Sequence, residues 1–149
     1  MDEIRPWLYI GKYRDTIDRS NLNRQSIQGM LQFAEPVEQS GIVSLYLRVE
    51  DMEPTPHHII KQGMEFILAE KDKGHKILVA CGAGINRSPA FCTAALKEVE
   101  GLRLIDAYKD VKNKHFDAYP NELVWKSFCD YYNETTPYLD IMRLSIQNF

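Results

Sequence analysis

Residues 76–80 read Lys-Ile-Leu-Val-Ala, and the apolar part of that run shows no alternation with polar residues. A short strand of this kind is covered on both faces, as in a parallel sheet. A helical pattern precedes it: Ile60, Met64, Ile67 and Leu68 fall at i, i+4, i+7 and i+8, and Gly74 is placed to end that helix as a left-handed cap. After the run come Cys81, a stretch containing Gly82 and Gly84, and then Pro89, which the first turn of a helix tolerates. The unit is strand, tight loop, helix.

The rest of the chain repeats the alternation. Strands are expected at residues 7–11, in Gln28–Glu35 and in Gly41–Val49. The polar stretch after residue 14 reads as a short helix or loop, and Glu50–His58, with Pro54 and Pro56, as a loop. Helices are expected with Cys92, Leu96 and Val99 on one face, over Leu104–Val111, and from near Asn121 with Val124, Phe128, Tyr131 and Tyr132 buried. Strands alternating with helices predict an α/β layered domain. With 149 residues and no repeat or low-complexity linker, one domain over 1–149 is expected. In the tail, 134–149, Leu139, Met142, Ile146 and Phe149 fall at helical spacing. That pattern predicts a helix docked on its own domain, with a dimer contact as the alternative.

The composition excludes several classes. A formal net charge of −3 and a pI near 5.8 fit neither a general nucleic-acid binder nor a polybasic membrane surface. No apolar run approaches the roughly 18 residues of a membrane span, and the acidic, then polar start is not that of a signal peptide. Three cysteines, Cys81, Cys92 and Cys129, match neither a disulfide framework nor a zinc ribbon. Free thiols fit a reducing cytoplasm, in which the sequon at Asn133 is accidental.

The loop carries the chemistry. Successive backbone N–H groups in such a loop point inward, and the helix after it adds its positive end, which together make an anion site. Gly82, Ala83 and Gly84 leave the cradle open, with Ile85 and Asn86 completing it. Arg87 supplies a planar fork for two oxygens of one anion. Cys81 lies beneath this positive potential, an environment that favours the thiolate and aims it at phosphorus. Ser88 is placed to donate to the sulfur. A buried cysteine beside a tight turn is the bland alternative, but it leaves Arg87 unexplained at the end of a buried strand.

With these residues in place, Ile77–Phe91 resembles the signature loop of the cysteine-dependent protein phosphatases, His-Cys-x5-Arg-Ser/Thr, and the chain from 4 to 133 is similar to the small dual-specificity phosphatases. The opening segment (4–16), the Leu45–Pro54 loop and the Ala118–Tyr132 helix each have a counterpart there. The resemblance implies a mixed, largely parallel sheet flanked by helices on both faces, a shallow pocket, and hydrolysis of phosphomonoesters on proteins without metal or other cofactor. It also implies roles: Cys81 forms a phosphocysteine, the amides of 82–87 with Arg87 hold the equatorial oxygens, and Asp51, thirty residues before Cys81, is the general acid and later the base. On residue chemistry alone, Glu50 and Glu53 compete with Asp51.

Two positions depart from the family. Ala80 stands where the family has histidine, which predicts a reduced rate. His115 stands in a stretch that relatives keep rich in arginine; Lys112 and Lys114 beside it read as a solvated face. His57 and His58 read as surface, Trp7 and Trp125 as core. Three functions compete: a protein phosphatase on phosphotyrosine and phosphoserine or phosphothreonine; a phosphatase on phosphoinositides or RNA 5′-phosphates; and a phosphate-binding module with little turnover. The partners expected are phosphorylated proteins, with neither nucleic acid nor membrane, for a monomer or weak homodimer.

Overall fold

The apolar run becomes the middle of a five-stranded sheet. The computed structural model describes residues 1–146. In chain order its elements are β1 (Asp2–Arg5), β2 (Leu8–Lys12), α1 (Tyr13–Thr16), α2 (Arg19–Arg24), β3 (Ile27–Gln32), β4 (Val43–Tyr46), α3 (His57–Asp72), β5 (Lys76–Cys81), α4 (Arg87–Glu100), α5 (Leu104–Lys114), α6 (Glu122–Tyr132) and α7 (Tyr138–Ile146). The strand order is β1-β2-β5-β3-β4. β5 is parallel to β2 and β3, β3 is parallel to β4, and only β1 runs antiparallel, against β2. The sheet is therefore mixed and largely parallel. Ile77, Leu78 and Val79 are wholly buried, which is why the run carries no alternation.

The two faces are unequal. Successive side chains of a strand point to opposite sides. Leu78 and Ala80 pack with Tyr9, Leu22, Ile27 and Met30 in a small cluster under α2. Ile77, Val79 and Cys81 face the main core, built with α3 to α7. α4 is the centre of that core: every residue from Ser88 to Leu96 is buried, and Phe91 contacts the rings of both Phe33 and Phe128. α3 crosses it closely at Gly63, where a Cβ would sit 2.5 Å from the Phe91 ring. As expected, α3 buries Ile60, Met64 and Ile67, and Gly74 lies just past its C-cap with φ of 79°. Leu68 lies only half-buried at the edge of that stripe, as does Val99 on α4.

Several expectations need correction. The third strand is shorter than Gly41–Val49: the chain leaves the sheet after Tyr46, although Leu47 and Val49 stay buried in the core. β1 is a short hairpin partner that the sequence did not suggest. α5 runs one turn beyond Val111 to Lys114, and Lys112 is buried rather than solvated, its ammonium bonded to the Phe116 carbonyl. Burial lowers the pKa of that ammonium, which prefers to sit in water. α6 begins where expected, capped by the Asn121 side chain on the Val124 amide at 2.8 Å, but Tyr131 and Tyr132 are half-buried and Trp125 and Cys129 fill the core instead. Trp7 is likewise only half-buried, under Lys71.

The tail does form a docked helix, turned the other way. Leu139, Met142 and Ile146 of α7 are 50%, 38% and 61% exposed, while Ile141 and Ser145 are buried. The stripe that faces the core is the other one, Tyr138, Ile141 and Leu144 at i, i+3 and i+6, with Ser145 beside it. The Ser145 hydroxyl donates to the Ile141 carbonyl at 2.8 Å and lies 3.0 Å from the buried Tyr108 hydroxyl, which donates to the Ala118 carbonyl at 2.8 Å. Phe149, the fourth member of the expected stripe, lies outside the described residues.

Candidate active site

Cys81 is the last residue of β5, and its side chain is 2% exposed. Residues 82–86 then turn back over it into α4. The loop's carbonyls are bonded outward: Gly82 O accepts from the Tyr13 amide at 3.2 Å, Gly84 O from His115 Nε2 at 2.7 Å, and Ile85 O from the Tyr119 amide at 2.7 Å. The amides of 82–86 make no backbone hydrogen bond among the described residues. In the first turn of α4, Ser88 N points to the Cys81 sulfur, Pro89 has no N–H and Ala90 N bonds the Asn86 carbonyl, which leaves the Arg87 amide to add to them. Gly84 needs to be glycine, since its φ is 73° and a Cβ there would lie 3.2 Å from the Gly11 carbonyl. Gly82 has no such φ, and a Cβ would meet only the Arg87 guanidinium, at 3.4 Å.

Ser88 is fully buried at the start of α4. Its hydroxyl lies 3.1 Å from the Cys81 sulfur, and its amide donates to the same sulfur at 3.4 Å. At the other two thiols burial dominates. Burial raises the Cys92 pKa well above the ordinary thiol value, with the nearby Cys81 adding to it, and burial pushes Cys129 up to about 11.

Arg87 folds over the loop. Its Nη1 donates to the Val49 carbonyl at 2.8 Å and the Phe33 carbonyl at 3.2 Å, contacts that fix the plane of the guanidinium. Its Nε is buried without a hydrogen bond; the Asp51 carboxylate stands 3.5 Å away as an ion-pair contact only. Asp51 itself is exposed, on the loop after β4. Of its two rivals, Glu50 is drawn to Arg48 at 3.3 Å and Glu53 is exposed; neither lines the cleft that holds Asp51.

Two side chains that sequence reasoning treated only as backbone or as bystanders organise this arrangement. Asn86, buried, donates to the Asp51 main-chain carbonyl and, at 2.9 Å, to its carboxylate, while its own carbonyl accepts the Asn121 amide at 2.8 Å. It thus ties the loop to the Asp51 segment and to the cap of α6. His115, 4% exposed, sits between Gly84 O and the Asp2 carboxylate, 2.6 Å from Nδ1. Neither carries a signal in one sequence, because both act through contacts 31 to 113 residues away. His57 and His58 are exposed, as expected.

Cys81, Arg87, Asp51, Asn86 and Ala83 line one cleft of about 330 Å³, together with Met52, Ile85, Tyr119, Asn121 and Tyr138. Ala80 lies beside it in sequence but on the opposite face of the sheet, among apolar side chains. Among the described residues no cluster of three or more His, Cys, Asp or Glu is arranged to hold a metal ion, and no helix is long and apolar enough to cross a membrane.

The thiol thus stands at the end of a central parallel strand, under a loop with its amides unspent and an arginine folded inward. The family model described as dual specificity phosphatase, catalytic domain, matches residues 8–134. The chain belongs to the dual-specificity phosphatase family. It is 28% identical over 139 residues to human dual specificity protein phosphatase 5, covering 91% of this chain and 36% of that relative, so it spans about a third of that protein's length. The crystal structure of human DUSP28 superposes with a TM-score of 0.84 at 26% identity, over 89% of this chain and 96% of that one. The human tyrosine phosphatase-like serine/threonine/tyrosine-interacting protein superposes with a TM-score of 0.82 at 27% identity, over 89% and 95%.

Proposed function

We propose that this chain is a protein phosphatase that hydrolyses phosphotyrosine, and phosphoserine or phosphothreonine, through a phosphocysteine at Cys81. The thiolate attacks phosphorus as the ester P–O bond breaks. The amides of 82–87 and the Arg87 fork take the three equatorial oxygens, replacing water with fixed donors. Asp51 gives its proton to the departing oxygen. Water then attacks phosphorus, the Asp51 carboxylate accepts its proton, the S–P bond breaks and inorganic phosphate leaves. Ser88 donates to the sulfur as it regains its charge. No step calls on a metal.

The observation that carries this reading is the buried Arg87 Nε without a hydrogen bond, on a residue that lines the same cleft as Cys81. A buried donor left unpaired costs about 1–3 kcal/mol, and a phosphate oxygen in the cleft removes that cost. The experiment is turnover of a small aryl phosphate in the presence of a chelator, beside Cys81→Ser. Activity that survives chelation and disappears in the serine variant supports catalysis by the thiol.

Ala80 favours a second reading, a phosphate-binding module with little turnover. Retention of Cys81, Ser88 and Asp51 weighs against it, since a binder needs no nucleophile. Tight phosphopeptide binding without turnover is its signature in the same assay. A reducing, cytoplasmic setting keeps all three thiols free, and the partners we infer are phosphoproteins rather than nucleic acid or membrane. We infer a monomer or weak homodimer, which sedimentation at two concentrations distinguishes.

A further inference from the structure

The cleft over Cys81 is not closed by the matched family region alone. Tyr138, the first residue of α7, lines it from beyond residue 134, where the family match ends. Its hydroxyl donates to the Pro120 carbonyl at 2.7 Å, and its ring lies 6.5 Å from that of Tyr119, inclined by 35°. Tyr119 in turn bonds the phosphate loop through its amide and Ile85 O. The two rings are therefore tied to the loop at Ile85 and to the Pro120 carbonyl.

Cys81 is buried, whereas Met52 and Ile85 are 66% and 43% exposed, so they form the mouth of the cleft. Any ester whose phosphorus reaches the sulfur must lay the group bearing that ester along Met52, Ile85, Tyr119 and Tyr138. A phenyl ring fills such a path with one flat apolar body and finds aromatic faces to meet it. A serine or threonine ester brings its peptide backbone down among the same side chains, where the Asn86 and Asn121 side-chain amides are already bonded to Asp51, so the backbone groups that lose water find few free partners.

We propose that Tyr138 is a specificity residue: with Tyr119 it makes an aromatic slot that selects aryl over alkyl phosphomonoesters, so that the C-terminal helix sets substrate choice as well as packing on the domain. This rests on the phosphatase reading of the cleft. The slot leaves the chemistry at Cys81 untouched and acts on which ester reaches it.

The test uses the full chain and one peptide sequence carrying either phosphotyrosine or phosphothreonine. Tyr138→Ala lowers kcat/KM for the phosphotyrosine peptide about threefold to tenfold, the range for one aromatic pair, and changes the phosphothreonine peptide less, so that the ratio of the two falls. Tyr138→Phe keeps the ratio, since the ring remains. Tyr138→Leu, which retains apolar bulk should the alanine variant fold poorly, lowers the ratio as alanine does. Equal losses on both peptides, or no loss on either, overturn the proposal. Should the wild type hydrolyse neither peptide, the phosphatase reading fails. The slot is then judged on the binding ratio of the two peptides to Cys81→Ser with and without Tyr138→Leu, where an unchanged ratio overturns it.

Discussion

The Asn86 side-chain amide donates to the Asp51 carboxylate at 2.9 Å and so couples the phosphate loop to the residue proposed as its acid. A loop carboxylate exposed to water is free to wander; this contact and the one to the Asp51 carbonyl hold it over the cleft. A general acid matters most when the leaving group is a poor one. Asn86→Ala is expected to slow esters of weakly acidic phenols roughly tenfold, part of the range for acid catalysis, and to leave esters of strongly acidic phenols nearly unaffected. Asp51→Asn shows the same leaving-group dependence, more steeply. A uniform loss across leaving groups in Asn86→Ala assigns Asn86 to phosphate binding instead.

Ser88 meets the sulfur with both its hydroxyl and its amide, at 3.1 and 3.4 Å. Ser88→Ala removes only the hydroxyl. A hydrogen bond to a charged group is worth about 1.5–3 kcal/mol, which is roughly 10- to 100-fold in rate. The loss should fall on departure of the thiolate, so a rapid-mixing experiment is expected to show a larger burst and then a slower steady state. A smaller burst places the hydroxyl in the first step.

Much of this was legible in the chain. The run Ile77–Ala80, the glycines after Cys81 and the helix opening near Pro89 describe one local unit, and local units are what periodicity and turn chemistry report. The orientation of α7 was not legible. Leu139, Met142 and Ile146 form one apolar stripe, and Tyr138, Ile141 and Leu144 form another at helical spacing; only the assembled core decides that the second packs inward. Asn86 was named for its place in the loop and His115 as a departure from the family, but their side-chain contacts were not legible, for a related reason. Their partners, Asp51, Asn121, Gly84 and Asp2, are remote in sequence, and only the assembled sheet brings them together.

Ala80 points away from Cys81 into the small cluster with Tyr9, Leu22 and Met30. Its register partners are Gly11 and Gln32. Ala80→His is expected to raise kcat by ordering the backbone before the nucleophile. The added ring has to enter a packed site, and overpacking costs about 1–3 kcal/mol. A higher kcat with a lower melting temperature is the predicted pair. An unchanged kcat contradicts the expectation that alanine at position 80 lowers the rate.

His115 fills the space between the loop carbonyl of Gly84 and the carboxylate of Asp2. His115→Ala leaves a buried carbonyl without its donor, a loss of about 1–3 kcal/mol, and frees the loop to relax. Weaker competitive inhibition by inorganic phosphate is expected together with lower thermal stability. His115→Gln, which can still donate to Gly84 O, should recover part of both. Phosphate inhibition unchanged in the alanine variant confines His115 to a structural role.

The central claim is a covalent bond between phosphorus and one sulfur. Its most direct measurement is acid quenching of the enzyme during turnover of an aryl phosphate, then digestion and mass spectrometry of the peptides. The account predicts phosphate on the peptide carrying Cys81, and none in Cys81→Ser. Steady turnover by the wild type with phosphate on no peptide, or on a residue other than Cys81, would contradict it.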